Sequence, residues 1–352
     1  MKILLLGGTG AIGKPCGEVL VKNGHEVYVT TRNQRKSESG IYYIVGNAKE
    51  DIFVQNVLST KWDCIIDFMN YSTKMFESRV GNILESTGQY IFISSSRVYS
   101  NNDEIITEET PRLLDVVNDD DYLKTDEYAL HKAREENLLL NLEKKNWTIV
   151  RPYITYNVNR LQLGATEMAN WLYRSIQGRT IVFSKDIASK YTTLTYGGNV
   201  AEGIASLIGK KNALGQVFNI TNSKPILWKD VLEIYLDELE NHLGKRPKVK
   251  WIDYALNLQI DTAKYQVMYD RIYNRIFDTS KISQFIDVER FISPEEGLRG
   301  CLRETLKNPM MGYINTTYEA IEDKTCGEFT NLSNYPNLRL KLAYIYKRFI
   351  KI

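Results

Sequence analysis

The opening of this 352-residue chain constrains its fold more tightly than any other stretch. Ile3-Leu4-Leu5-Leu6 is an apolar run that stops at Gly7-Gly8-Thr9-Gly10-Ala11-Ile12-Gly13, and helical spacing begins at once over Lys14–Asn23. Strand, glycine turn and helix in direct succession form the context in which such a string cradles a pyrophosphate. The first glycine permits the tight turn, the second lets backbone approach the phosphates, and the third lets the helix pack close. The helix N-terminus adds unpaired N–H groups and partial positive charge. Gly7, Thr9, Gly10, Ala11, Ile12 and Gly13 are therefore candidate cofactor-binding residues. A glycine-rich turn that binds nothing is the plain alternative, and the motif alone names no reaction.

The same alternation recurs downstream. Val27–Thr30, Tyr42–Val45, Cys64–Phe68, Tyr90–Ser94 and Thr148–Val150 read as short buried strands, while 71–87 and 128–144 carry apolar residues at helical intervals. Strands alternating with helices predict an α/β fold, a doubly wound parallel Rossmann sheet with helices on both faces. Gln216–Ile220 reads as a further strand of that sheet, and Trp228–Leu239 and Pro294–Leu306 read as helices. The expected organisation is a dinucleotide-binding domain over 1–157, completed by about 191–221. A smaller, discontinuous substrate lobe would comprise 158–190 and 222–352, including a basic helical tail at 337–352. For that tail a docked helix is preferred over a membrane-surface helix.

The bulk numbers mainly exclude. A net charge of +2 supplies no single-signed field, so no nucleic-acid partner is expected. Cys16, Cys64, Cys301 and Cys326 lack metal-ligand spacing, so no metal is expected and a reducing cytoplasm is the default. No stretch is long enough to span a bilayer.

The second strand bears on the cofactor. An NAD site usually places an acid about 20 residues past the glycines, on the ribose hydroxyl. Here the strand ends in Thr30-Thr31-Arg32. An arginine can pair bidentately with a 2′-phosphate, which favours NADP with NAD as the alternative; a solvated surface arginine is the competing reading. Asn47, after the third strand, is a weaker candidate for the adenine edge.

Two further strings carry chemistry. In Tyr128-Ala129-Leu130-His131-Lys132 the phenol and ammonium lie on one helix face. A nearby ammonium favours the phenolate, so Tyr128 is expected to serve as acid and base in a hydroxyl–carbonyl interconversion. His131 is expected to face elsewhere. Ser94-Ser95-Ser96-Arg97-Val98-Tyr99 places hydroxyls at the C-terminal end of a strand, where ligands bind in open parallel sheets.

With G-G-T-G-A-I-G, S-S-S-R-V-Y, Y-A-L-H-K and Arg151-Pro152-Tyr153 in order, the sequence resembles the extended short-chain dehydrogenase/reductase superfamily of nucleotide-sugar epimerases, dehydratases and reductases. Phe218-Asn219-Ile220 and Asp278-Thr279-Ser280-Lys281 extend the resemblance to about residue 305. The resemblance implies Tyr128 as acid/base, Lys132 on the nicotinamide ribose, and Ser95 at the serine/threonine position. It further implies Phe68, Pro152 and Ile154 around the cofactor, a nucleotide-sugar substrate, and a homodimer through the Tyr-Lys helix. Ser96-Arg97 stands where the dehydratases carry Asp-Glu, which argues against water elimination. The substrate-gripping arginine is missing before Asn199-Val200-Ala201, leaving Lys185 or Lys190. Asp67-Phe68-Met69-Asn70-Tyr71 resembles the atypical branch that includes chloroplast stem-loop-binding relatives. The expected activity is NADPH-dependent reduction of a keto-sugar, with epimerisation second and a non-catalytic sensor or RNA-binding protein third.

Overall fold

The computed structural model describes every residue except 38–39, 102–103, 312–313 and 351–352. Contacts divide the chain into two compact units: Met1–Thr155 with Thr193–Ser223 and Phe277–Ile292, and Tyr156–Thr192 with Lys224–Ile276 and Ser293–Ile352.

In the first unit the elements run β1 (Lys2–Leu6), α1 (Gly13–Lys22), β2 (Glu26–Thr31), β3 (Ile41–Val45), α2 (Asp51–Leu58), β4 (Trp62–Asp67), α3 (Thr73–Glu85), β5 (Thr87–Ile93), α4 (Tyr128–Leu140), β6 (Trp147–Pro152), α5 (Gly197–Leu207) and β7 (Gln216–Ile220). The seven strands form one parallel sheet in the order β7-β6-β5-β4-β1-β2-β3. Strand order reverses at β1, so the glycine turn leaves the sheet at the switch point where open parallel sheets bind ligands.

Alternation of side chains explains why both sheet faces are apolar. Ile3 and Leu5 join Cys16 and Leu20 of α1, Val200 and Ile204 of α5, and Ile91 and Ile93 on one face. Leu4 and Leu6 join Val57 of α2, Phe76 and Val80 of α3, and Leu139 of α4 on the other. Ile282, Val288 and Phe291 fill the first face, and Phe277 bridges Ile106. That buried apolar surface assigns Phe277–Ile292 to the first unit, although the sequence spacing puts it in the smaller lobe.

In the second unit, parallel strands Ile181–Ser184 and Val249–Ile252 pair, and the helices Trp228–Leu243 and Pro294–Lys307 pack together. Helices Met168–Ile176 and Thr316–Cys326 are not legible in the sequence as helical runs, the second because buried charge replaces its apolar stripe. The tail forms a helix over Leu338–Ile345, capped by Asn337 Oδ1 on the Leu340 amide. Tyr344 docks it against Ala320 and Tyr335.

All four cysteines are free thiols; Cys16, Cys64 and Cys301 are buried. Burial pushes the Cys16 thiol up to about 12. Among the described residues no helix is long and apolar enough to cross a membrane.

Candidate functional site

The glycine turn is built from backbone constraints. Gly7 adopts φ +69°, where a side chain is strained, and its amide donates to Thr30 Oγ1 at 2.8 Å. A Cβ on Gly13 would lie 2.6 Å from the Gly8 backbone, so only glycine lets α1 start this close to the turn. A Cβ on Gly10 would meet nothing within 4 Å, so here the turn opens onto free space. The α1 N-terminus follows Ile12, and no side chain caps it. An uncapped helix N-terminus beside an open glycine fits a phosphate-bearing group.

At the end of β2, Thr31 Oγ1 closes a turn with Asn33, donating to its carbonyl at 3.1 Å. Arg32 is exposed, and Arg35 stands over the Tyr43 ring at 5.8 Å. Arg35 lines a cavity of about 200 Å³ together with Thr9, Lys14 and Tyr43. Sequence reasoning misses this second arginine, although Arg32-Asn33-Gln34-Arg35 repeats the cation three residues on. Asn47 is spent locally: its Oδ1 accepts from the Lys49 amide and its Nδ2 donates to Glu50.

The end of β5 sorts the three serines by their partners. Ser94 donates to Glu136 Oε1 at 2.6 Å, and Ser96 donates to the Arg151 carbonyl at 2.9 Å. Ser95 caps the following turn, its Oγ accepting from the Arg97 amide at 3.2 Å. Of the three hydroxyls, Ser95 alone has no acceptor for its proton among the described residues.

Arg97 then fastens this turn to α4. Its Nη2 donates to Glu127 Oε1 at 2.6 Å, and Glu127 caps α4 by accepting from the Ala129 amide. The guanidinium also lies 5.5 Å from the Tyr128 ring centroid. Tyr128 is half-buried, and His131 packs edge-on against it at 5.3 Å. His131 therefore neighbours the tyrosine instead of facing elsewhere, because its Nε2 is held 2.8 Å from Asn70 Oδ1.

Lys132 is 2% exposed. Its Nζ lies 3.0 Å from Glu135 Oε2, donates to the Met69 carbonyl at 3.4 Å, and stands 4.6 Å above the Phe92 ring. The strand-four string accounts for this arrangement. Met69 packs where a Gly7 Cβ would go, and Asn70 holds His131. Asp67 accepts from the Met69 amide at 2.9 Å and from Tyr90 at 2.9 Å. Burial raises the Asp67 carboxyl above its ordinary range. These residues stand out in the sequence as a departure, but nothing there says they tie the glycine turn to α4.

Beneath the site lies a buried polar layer, in which Asn219 Nδ2 is left without a hydrogen-bond partner among the described residues. Glu136 takes Arg151 on both oxygens at 2.8 and 2.6 Å, and Arg151 donates to Tyr99, which donates to Asn219. Arg151 chiefly holds the fully buried Glu136 carboxyl below the ordinary range, against its burial. Phe68 packs partly buried against the first core face and Pro152 is buried at the end of β6. Ile154 comes two residues later at φ +23°, an uncommon conformation for a β-branched residue and a mark of local strain.

A parallel sheet with a glycine turn at its switch point, and serine and tyrosine strings fastened together beyond β5, define a Rossmann unit of the extended short-chain dehydrogenase/reductase type. The chain belongs to the NAD-dependent epimerase/dehydratase family, whose sequence model matches residues 3–221. It is 26% identical over 294 residues to chloroplast stem-loop binding protein of 41 kDa b from Arabidopsis thaliana, covering 75% of this chain and 73% of that protein. Its fold is similar to that of the Bordetella bronchiseptica enzyme WbmH in complex with NAD+, with TM-score 0.67 and 12% identity over 88% of this chain and 99% of the other. It is similar also to UDP-glucuronic acid 4-epimerase from Bacillus cereus in complex with UDP-glucuronic acid and NAD, with TM-score 0.62 and 17% identity over 87% and 99%.

Proposed function

We propose that this protein is a nicotinamide-dinucleotide-dependent epimerase acting on a nucleotide-linked sugar. The observation that carries the reading is the Arg97–Glu127 ion pair, which fastens the Ser95 turn to the start of the Tyr128 helix. Two hydroxyl-bearing side chains distant in sequence are thereby held in the unit that contains the glycine turn.

The glycine turn and the α1 N-terminus would hold the pyrophosphate, with Phe68, Pro152 and Ile154 beside the nicotinamide and Lys132 toward its ribose. When bound, the dinucleotide supplies a hydride acceptor and donor. Tyr128 removes the proton of the sugar hydroxyl and returns it, while the Ser95 hydroxyl donates to the same oxygen. Ser96 and Arg97 follow Ser95 where the dehydratases of this type carry Asp-Glu, which argues against water elimination.

Family membership and the UDP-sugar complex of a structural neighbour support epimerisation ahead of the net reduction expected from the sequence. The reductase reading keeps one observation in its favour. The end of β2 carries no carboxylate for a ribose 2′-hydroxyl, and Arg32, Arg35 and Lys14 could meet a 2′-phosphate, so an exchangeable NADPH fits. The name of the Arabidopsis relative favours a third reading, stem-loop RNA binding.

One assay separates the three. Purified protein is titrated with NADH, with NADPH and with a stem-loop RNA, then incubated with UDP-sugars and their 4-keto forms. Formation of the epimer without net change in reduced-nicotinamide absorbance is expected. Stoichiometric loss of that absorbance establishes the reductase, and stem-loop RNA binding without any turnover establishes the third reading.

A further inference from the structure

Among the described residues, every carboxylate in the core of the first unit is well served by donors, with one exception on the Tyr-Lys helix. Glu135 is fully buried, and its partner is Lys132. Lys132 Nζ approaches Glu135 Oε2 to 3.0 Å, and no other donor among the described residues reaches either oxygen. Glu136, one residue on, has other partners and is filled by Arg151, Arg112 and Ser94. Lys132 and Glu135 are thus each other's principal counter-charge in a space closed to solvent.

We propose that Glu135 is a positioning residue that holds Lys132 in a withdrawn place, and that drawing the ammonium out to a bound dinucleotide leaves Glu135 to take up a proton. This rests on the dinucleotide reading of the glycine turn and of Lys132. The physical reason is the cost of an isolated charge. A buried carboxylate stripped of its cation is too costly to stay charged, so it neutralises.

The surroundings favour that outcome. Asp67 faces Glu135 from β4, and Asp126 acts on it from the residues just before α4; both disfavour a second negative charge. Tyr90 of β5 and Tyr71 after β4 spend their hydroxyls on Asp67. Arg79 of α3 is turned away onto Asp51 and the Ala48 and Lys49 carbonyls. Arg134 of α4 reaches Asp126 and two backbone carbonyls. No second cation among the described residues is placed to replace Lys132. Burial already pushes the paired Glu135 carboxyl up to about 7.

Linkage gives the direction. Losing Lys132 raises the Glu135 carboxyl further, so binding takes up protons above about pH 7 and affinity weakens as pH rises, by at most about tenfold per pH unit. The test is calorimetric titration of NADPH and NADH at pH 8 into the full-length protein, in phosphate and in Tris. The difference in heat between the buffers counts protons. Wild type should take up a substantial fraction of one proton per dinucleotide. Glu135→Gln should take up none, bind more tightly at pH 8 to 9, and show a flat pH profile. Lys132→Met gives an independent check if Glu135→Gln lacks a cooperative melt, since it too should lose the uptake. A wild type that binds without proton uptake overturns the proposal, as does unchanged uptake in Glu135→Gln, which would move the proton to Asp67. A wild type that binds neither dinucleotide overturns the underlying cofactor reading instead.

Discussion

Both units bury charge, and they differ in what is left over. In the second, Arg174 is completely buried and meets Asp323 at 2.8 Å, Glu328 at 2.9 Å, Glu319 at 3.4 Å and the Thr180 carbonyl at 2.8 Å. Arg179 adds a 2.7 Å pair to Glu319, and Asp323 also accepts from Tyr344 at 2.7 Å. With Glu322 at 3.6 Å from Arg174, these carboxylates outnumber the two arginines, and burial pushes Glu322 up to about 8. This network knits the chain's last helices to Met168–Ile176. The first unit has a comparable structural layer in Glu136 and Arg151, yet just above it hydroxyls and an ammonium keep unused capacity. Burial of charge is therefore a poor guide to chemistry, and so is spare capacity by itself. Among the described residues the second unit's network leaves Arg179 Nη2 and Glu322 Oε2 without a hydrogen-bond partner. What marks the first unit is spare hydroxyls and an ammonium in the unit that carries the glycine turn.

That contrast can be broken by mutation. Tyr128→Phe should lower turnover by roughly 10³-fold with dinucleotide affinity nearly unchanged, measured by steady-state kinetics and titration. Full activity in that variant would end the distinction. Arg174→Ala, in contrast, should cost about 3 kcal/mol in urea unfolding by stranding buried carboxylates, and should leave dinucleotide affinity alone.

Glu322 offers a pH version of the same test. Its folded-state carboxyl is raised above the ordinary 4.5, so its contribution is present below that value and lost as pH rises to about 8. Glu322→Gln should flatten stability across that window in melts taken at successive pH values.

Within the first unit, Gly13→Ala forces a methyl onto the Gly8 backbone and should destabilise by about 1–3 kcal/mol. Gly10→Ala should melt normally while weakening the dinucleotide. The smallest effect is expected at the end of β2. Arg35→Ala and Arg32→Ala should each weaken NADPH by about tenfold more than NADH, if both meet the 2′-phosphate. An equal effect on both cofactors would remove that assignment.

The sheet is legible in the sequence because strand residues are uniformly apolar and glycines punctuate the first turn, signals local in the chain. The helices Asp51–Leu58 and Thr316–Cys326 are harder: the first is short, and the second owes its burial to charge pairs with Arg174 and Arg179 far along the chain. In the site, local motifs mark Ser95, Tyr128 and Lys132. Spacing alone places Lys132 beside the phenol, and it cannot foresee that Glu135, one turn on, draws the ammonium into the interior. Likewise the sequence shows only which residue Arg97 replaces, because its bond to Glu127 depends on two segments meeting in space.

Cys16 offers the molecule a built-in clock. It lies on α1 directly behind the glycine turn, inaccessible and poorly nucleophilic, while Cys326 is partly exposed. A thiol reagent should mark Cys326 early and reach Cys16 only when α1 lifts from the sheet. The labelling rate at Cys16 would then time the opening of the glycine turn, and a dinucleotide seated there as proposed should slow it.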